Sequence, residues 1–244
     1  MNNMQLSVVI PTYNEEERLP GLLQSLLQEK FSDMEIIVAD RPGRDRTREI
    51  AASYGCKITD GGSPAEGRNL GARLALGKYI LFLDADIKFL PGLLQKTLTD
   101  AENRKLVVAS YHLYPQENSF WLNNFTINLF YNWQQNLWQK VFPMGAMGIL
   151  VKKEIFDKVG GFDATIKLAE DVYFVGQAAR FGKFGIIKGA ALYMPLRRFE
   201  RDGYLRTAWK YFLCGLHMAF IGPVRSGKVF DYNFNHYDDN NKKQ

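Results

Sequence analysis

Three apolar runs constrain this chain more than any other feature. Leu6-Ser7-Val8-Val9-Ile10-Pro11, Glu35-Ile36-Ile37-Val38-Ala39-Asp40 and Lys78-Tyr79-Ile80-Leu81-Phe82-Leu83 read as buried strands, the first stopped by proline. Segments of helical period lie between them. Leu19, Leu22, Leu23, Leu26 and Leu27 recur as one buried face, and Pro20 fits only the first turn of such a helix. Asn14, with Glu17 three residues on, predicts a capping box for it. Two further helices are predicted over 45–54, closed by Gly55, and over 64–76, ended by Gly77. Residues 56–59 predict a short strand. This alternation calls for an α/β chain, a Rossmann-like and mostly parallel sheet with helices on both faces.

Such sheets bind ligands beyond the carboxyl ends of their strands, at the switch in strand order. Pro11-Thr12-Tyr13-Asn14, Asp40 and Asp84-Ala85-Asp86 all follow strand ends, so they can share one crevice although far apart in sequence. Asp84 and Asp86 are the sharpest of these signals. Two carboxylates at the end of a buried strand are placed to hold a divalent cation against phosphate oxygens, since hard cations favour oxygen ligands. An Asp-rich turn is the plain alternative.

The second half reads differently. Residues 120–142 predict a long helix in which Phe125, Leu129, Trp133 and Leu137 follow at i+4, a face suited to core packing or to a membrane interface. Residues 148–151 predict a strand and 153–159 a short helix. Gly160-Gly161-Phe162-Asp163 is a turn, and 169–180 a helix opening with Glu170-Asp171, where acids suit the helix dipole. Residues 203–220 predict an amphipathic basic helix carrying Trp209, Tyr211, Phe212 and Phe220. The chain divides into 1–115, 116–200 and a C-terminal helix and tail over 201–244.

An apolar fraction of 46% supports a packed core. Cys56 and Cys214 form neither a disulfide framework nor a metal-ligand spacing, which predicts a reducing compartment. The opening residues lack the charged and apolar regions of a signal peptide, and no apolar run reaches the length of a membrane span. Asn124-Phe125-Thr126 matches a glycosylation acceptor that a cytosolic chain would not use. The formal net charge is +5, and its cations cluster late: seven against two acids between Arg197 and Lys228. Cations beside aromatics suit an anionic bilayer surface, as they suit a helix packed on its own domain. A cytoplasmic location at the inner face of the membrane follows as an expectation. Nucleic acid is not expected as a partner, because the cations follow no recognisable motif. His112, His217 and His236 are isolated and read as packing or surface residues.

Six segments in order carry a resemblance: Val9-Ile10-Pro11-Thr12-Tyr13-Asn14-Glu15, Glu35-Ile36-Ile37-Val38-Ala39-Asp40, Gly67-Arg68-Asn69-Leu70-Gly71, Asp84-Ala85-Asp86, Gly160-Gly161-Phe162-Asp163 and Glu170-Asp171. Together they resemble the family 2 glycosyltransferases, which have the GT-A fold. The resemblance implies a nucleotide-sugar donor, Mg²⁺ or Mn²⁺, and inversion of the anomeric centre. It implies that Pro11, Tyr13 and Glu15 line the nucleotide pocket, that Asp40 lies near the base and that Arg68 sits beside the nucleotide. Asp84 would contact ribose or metal, and Asp86 would be the main metal ligand. Asp171 would be the catalytic base, with Glu170 beside it, and Gly145 and Ala146 would border the acceptor. Arg198, in Pro195-Leu196-Arg197-Arg198-Phe199, would hold the diphosphate or lie solvated at the surface. The acceptor expected is a glycan or a lipid-linked molecule.

The chemistry agrees. Departure of a sugar from a nucleotide builds negative charge on the diphosphate, which a cation held by Asp86 would neutralise. The acceptor hydroxyl must lose a proton, which a carboxylate within reach can take. Asp171 at a helix start keeps a low pKa unless burial or Glu170 raises it. One departure stands out. The family commonly has two adjacent acids followed by Gly-Ser after the second strand, where this chain has Asp40-Arg41-Pro42-Gly43. The second acid often reads the base, so base choice stays open, and Arg41 and Arg44 would either contact phosphate or lie exposed, exposure being the expectation. Two rivals remain. A sugar-1-phosphate nucleotidyltransferase favours a glycine-rich basic loop after the first strand, which the acidic stretch over 11–17 does not supply. A degenerate module binding a membrane or partner draws support from Arg41-Pro42-Gly43 and is opposed by Asp84, Asp86 and Asp171.

Overall fold

The computed structural model describes residues 4–116, 127, 131–139, 143–196, 200 and 203–225. Eight strands form one sheet: β1 (Leu6–Thr12), β2 (Met34–Asp40), β3 (Lys57–Asp60), β4 (Tyr79–Leu83), β5 (Lys88–Phe89), β6 (Leu106–Pro115), β7 (Gly148–Lys152) and β8 (Lys183–Met194). Their order is β3-β2-β1-β4-β7-β6-β8-β5. The first four are parallel, as the alternation predicts, and β7 runs against both β4 and β6. The strand order reverses at β1, between β2 and β4, so these strand ends are where a switch-point crevice is expected.

Alternation along each strand builds two cores. Leu6, Val8, Ile10, Ile36, Val38, Leu81 and Leu83 face one layer of helices, α1 (Leu19–Gln28), α2 (Thr47–Ser53) and α4 (Leu93–Asn103). Val9, Ile37, Ile80 and Phe82 face the other, α3 (Pro64–Leu74), α6 (Lys153–Val159) and α7 (Glu170–Ala178). Each fully buried Val, Leu, Ile or Phe contributes roughly 1.5–3 kcal/mol, so register is strongly specified. In the second core, Phe82, Phe156, Phe162 and Phe174 form an aromatic cluster. Phe162 stacks on Phe174 at 4.1 Å between centroids and meets Phe82 edge-on at 5.0 Å.

The structure corrects several expectations. Asn14 caps no helix: α1 begins at Leu19 with Arg18 before it and no side-chain cap. Asn14 instead takes a left-handed turn (φ 55°), and its Oδ1 accepts from the Arg44 backbone N–H at 3.1 Å. Asparagine tolerates that conformation, so its side chain serves the β2–α2 loop. Pro11 does not stop β1, which continues to Thr12, because the ladder to β4 has already ended at Val9. Leu27 is exposed, and α3 ends at Leu74, before Gly77. The expected 120–142 helix is described only as α5 (Trp133–Trp138) with its flanks. Two of its polar residues, Asn132 and Gln135, face inward. Asn132 pairs with both backbone groups of Leu113, and Gln135 is buried. Trp133 and Leu137 are 56% and 55% exposed, so they do not pack in the core. The last helix, α8 (Tyr204–Phe220), starts one residue after the predicted boundary.

Candidate functional site

The register Thr12↔Asp40 sets the ends of β1 and β2 side by side. Thr12 Oγ1 donates to Asp40 Oδ1 at 2.8 Å. Asp40 is buried, and that burial pushes its carboxyl above the ordinary value of 3.8, against the Thr12 hydrogen bond. Arg41 is half-buried, not exposed: its guanidinium lies 4.5 Å from the Tyr13 ring centroid. The cation that replaces the family's second acid is thus stacked on a residue expected to line the nucleotide pocket. Arg44 is exposed, as expected. Glu15 is held by Arg18 at 3.1 Å, while its backbone N–H donates to Thr47 Oγ1 at 2.8 Å.

Helix α3 delivers Arg68 to the crevice. A capping box starts it: Ser63 N–H donates to Glu66 Oε2 at 2.7 Å and Glu66 N–H to Ser63 Oγ at 3.4 Å. It lies close on β1 because a Cβ at Gly71 would run into Val9 Cγ1, and one at Gly67 would sit 3.2 Å from Pro11. From this seat Arg68 Nη1 donates to Glu170 Oε1 at 2.8 Å and Nη2 to Asp84 Oδ1 at 3.0 Å. Its guanidinium lies 5.4 Å from the Phe162 ring centroid. Burial works against its charge. The charges of Asp84, Glu170 and Asp171 outweigh burial and hold the guanidinium above the ordinary arginine value. Arg68 therefore ties carboxylates together instead of presenting a free cation.

The start of α7 is built on a left-handed non-glycine residue, Ala169 (φ 60°), which sets the direction of the two acids after it. Such a conformation costs on the order of 1 kcal/mol and persists only where its surroundings hold it. Asp171 Oδ1 accepts from Val172 N–H at 2.7 Å. Burial and then the charge of Glu170 push Asp171 from 3.8 up to about 7, against the pull of Arg68 and the Val172 hydrogen bond. A carboxylate poised there is suited to proton transfer near neutral pH.

Asp84 and Asp86 lie just beyond β4, both half-buried. Asp84 keeps 31% of its side chain open, with one oxygen on Arg68. The backbone carbonyl of Asp86 accepts from Gln116 Nε2, which also donates to the Tyr193 carbonyl at 2.8 Å. Gln116 is a residue that sequence reasoning missed, since one glutamine after a strand carries no local signal. Among the described residues no three His, Cys, Asp or Glu side chains gather to cage a metal. That donor set fits an ion shared with substrate, because Mg²⁺-like ions are usually held by one or two carboxylates plus phosphates. Neighbouring strands lie about 4.8 Å apart, so two spacings, about 10 Å, separate Asp40 from Asp84 across β1. A nucleoside diphosphate spans that distance.

Beyond the carboxylates, Gly145 is buried and Ala146 half-buried. A Cβ at Gly145 would lie 2.8 Å from Val175 on α7, so only glycine lets this segment approach so closely. Tyr131 was also missed. Its hydroxyl lies near Ser110, the Ala146 backbone N–H and Gln135 without completing a hydrogen bond to any of them. Burial, then the charge of Asp171, raises its pKa. The same two causes push the Cys214 thiol of α8 up to about 11, and Cys214 packs with Leu168, just before α7. His217 bonds to the Gly222 carbonyl and His112 to Asn136, so both serve local structure. Arg198, His236 and the Asn124-Phe125-Thr126 sequence lie outside the described residues.

Comparison with known proteins adds independent findings. The family model for glycosyl transferase family 2 matches residues 7–160. An uncharacterized glycosyltransferase of Haemophilus influenzae is 31% identical over 180 residues, which cover 70% of this chain and 60% of that protein. Staphylococcus aureus TarS, a poly(ribitol-phosphate) beta-N-acetylglucosaminyltransferase, is 34% identical over 93 residues, 34% of this chain and 16% of TarS. The chain thus spans less than two thirds of the length of either relative. Among solved structures, S. aureus TarS 1–349 in complex with UDP superposes with a TM-score of 0.65 at 19% identity, covering 96% of this chain and 77% of that one. The mannosyltransferase PcManGT from Pyrobaculum calidifontis, in complex with GDP-Man and Mn²⁺, superposes at 0.67 with 18% identity, covering 86% and 64%. At these identities the likeness speaks to the fold, which is GT-A.

Proposed function

Because the chain belongs to glycosyl transferase family 2, we propose that it moves a sugar from a nucleotide-sugar donor to an acceptor hydroxyl with inversion. The observation that carries this reading is Arg68, which joins Asp84 to Glu170 and so sets Asp171, at about 7, beside the carboxylates beyond β4. The acceptor oxygen bonds to the anomeric carbon from the face opposite the leaving group. The bond from that carbon to the diphosphate breaks, and the diphosphate leaves with the electron pair. Asp171 takes the acceptor proton, and Glu170 holds Arg68 in place.

Tyr13, with Pro11 and Glu15 around it, lines the nucleotide pocket; Asp40 lies near the base, and Arg41 influences which base is accepted. Asp86, with Asp84, would hold Mg²⁺ or Mn²⁺ against the diphosphate. Such an ion, when bound, neutralises the charge of the leaving group. Arg198 assists at the diphosphate. In this reading residues 1–115 form the donor half and 116–200 the acceptor half, with Gly145 and Ala146 at their border.

The acceptor is proposed to be a glycan or lipid-linked molecule met at the inner face of an anionic membrane. Support comes from Trp133 and Leu137 of α5 and Trp209 of α8, each more than half exposed. Among the described residues no helix is long and apolar enough to cross a membrane, so this contact would be peripheral.

The test is equilibrium binding of UDP- and GDP-sugars with and without Mn²⁺, followed by transfer assays. Metal-dependent binding that Asp86→Ala abolishes is the expected result. Absence of any nucleotide binding with metal present would end the proposal.

A further inference from the structure

A cavity of about 500 Å³ lies outside the crevice, between α4, β6, α5 and β8. Its origin is a break in the β6–β8 ladder. Ser110 pairs with Ile186 but His112 with Ala191, so residues 187–190 of β8 bulge away from the sheet. Gly189 (φ 73°) permits the turn, and Asp100 fixes it by accepting from the Lys188 backbone N–H at 3.1 Å. Bulges re-aim side chains and recur beside active sites.

The charge of the walls is one-sided. Among the described residues, Lys96, Arg104, His112 and Lys188 line the cavity and no acid does. Arg104 is anchored by Asp100 at 2.7 Å and by the Ile186 carbonyl at 2.8 Å. The ammonium groups of Lys96 and Lys188 have no ion-pair or hydrogen-bond partner among the described residues. Tyr114 and Tyr193, whose rings lie 6.1 Å apart, line the cavity at the strand ends. That end adjoins the carboxylates: Tyr193 pairs with Lys88, and Gln116 bonds the carbonyls of both Tyr193 and Asp86. The two unpaired ammonium groups, with the guanidinium of Arg104 held by Asp100 in the same cavity, suit a phosphate, which accepts several charge-assisted hydrogen bonds at once. The volume also accommodates part of the molecule that carries it.

We propose that this cavity binds a phosphate-bearing part of the acceptor, held by Lys96, Arg104 and Lys188, with the remainder passing Tyr193 toward Asp86. The assignment of the phosphate to an acceptor rests on the glycosyltransferase reading; the anion site itself does not.

The experiment measures binding of glycerol phosphate, and of phosphatidylcholine vesicles with and without phosphatidic acid, to the full chain with Mn²⁺ and UDP. The comparison protein is Lys96→Gln/Lys188→Gln, both exposed positions outside the catalytic set. Wild type is expected to bind a phosphate probe, and the double variant to bind about tenfold more weakly, as two screened charge contacts allow. UDP affinity stays unchanged in the variant. Binding of glycerol phosphate identifies a free phosphate ester as sufficient, whereas binding only to phosphatidic acid vesicles identifies a lipid headgroup. No binding of either probe, or equal binding by the variant, overturns the site. If UDP fails to bind wild type while the lysine-dependent phosphate binding persists, the donor reading fails and the anion site stands.

Discussion

Arg68 Nη1 donates to Glu170 Oε1 at 2.8 Å, joining two residues 102 positions apart. Both side chains are nearly closed to water, 6% and 11% exposed. Arg68→Met would leave Glu170 without its counter-charge beside Asp171. Removing one partner of a buried pair costs about 3–5 kcal/mol. The expected outcome is a loss of that size in urea unfolding, with turnover abolished in the fraction that remains folded.

Asp171 links stability and catalysis to pH. Its carboxyl sits at about 7 in the fold against an ordinary 3.8, so the folded state binds the proton more tightly. Its contribution to stability is complete below about pH 4 and fades as pH rises through about 7. Metal-free Asp171→Asn should lose less stability than wild type over that window, measured by urea midpoints. Wild-type turnover should rise with pH through about 7, as the base loses its proton, and the variant should bind donor without turning it over. Unchanged turnover would remove Asp171 from the mechanism.

Arg41 over Tyr13 invites a test of base choice. Such a contact contributes about 0.5–1 kcal/mol at an exposed site. Arg41→Ala should therefore cost up to about 1 kcal/mol of stability and, by releasing the Tyr13 ring, weaken nucleotide binding a few-fold. Calorimetry with UDP and GDP in parallel would show whether the loss falls on one base more than the other.

Gly71→Ala separates scaffold from site. The added methyl meets Val9 Cγ1 in the middle of the α3–β1 contact. Overpacking of this kind costs typically 1–3 kcal/mol. The expected result is a lower unfolding midpoint with little change in nucleotide affinity per folded molecule.

Trp133 and Trp209 test the membrane contact. Because both are more than half exposed, Trp133→Ser/Trp209→Ser should alter stability by less than about 0.5 kcal/mol per site. Flotation with anionic vesicles should fall sharply in the double variant. Equal flotation would exclude these side chains from the contact.

Much of the first half of the chain is legible in sequence because its signals are local. Period-two alternation places Val8 and Ile10 against one layer and Val9 against the other, and strands ending at Asp40 and near Asp84 mark the crevice. Capping and helix faces were less secure. Asn14 reads as a cap, yet its side chain is taken by Arg44, a partner 30 residues away. Trp133 and Leu137 read as a core face, yet Asn132 and Gln135 occupy the inner side. In residues 88–116 the helical spacing of Leu93, Leu94, Leu98 and Ala101 and the apolar run from Leu106 mark α4 and β6, whereas no local pattern announces β5 or the role of Gln116.

The sequence by itself determined the parallel half of the sheet and the strand ends at which Asp40, Asp84 and Asp86 stand. These follow from hydrophobic period and from residues adjacent in the chain. Only the tertiary structure decided what those acids do to one another. Arg68, Asp84, Glu170 and Asp171 come from α3, the end of β4 and the start of α7, and their charges couple through burial and distance. Burial and Glu170 lift Asp171 to about 7 against the pull of Arg68, a balance no local pattern encodes.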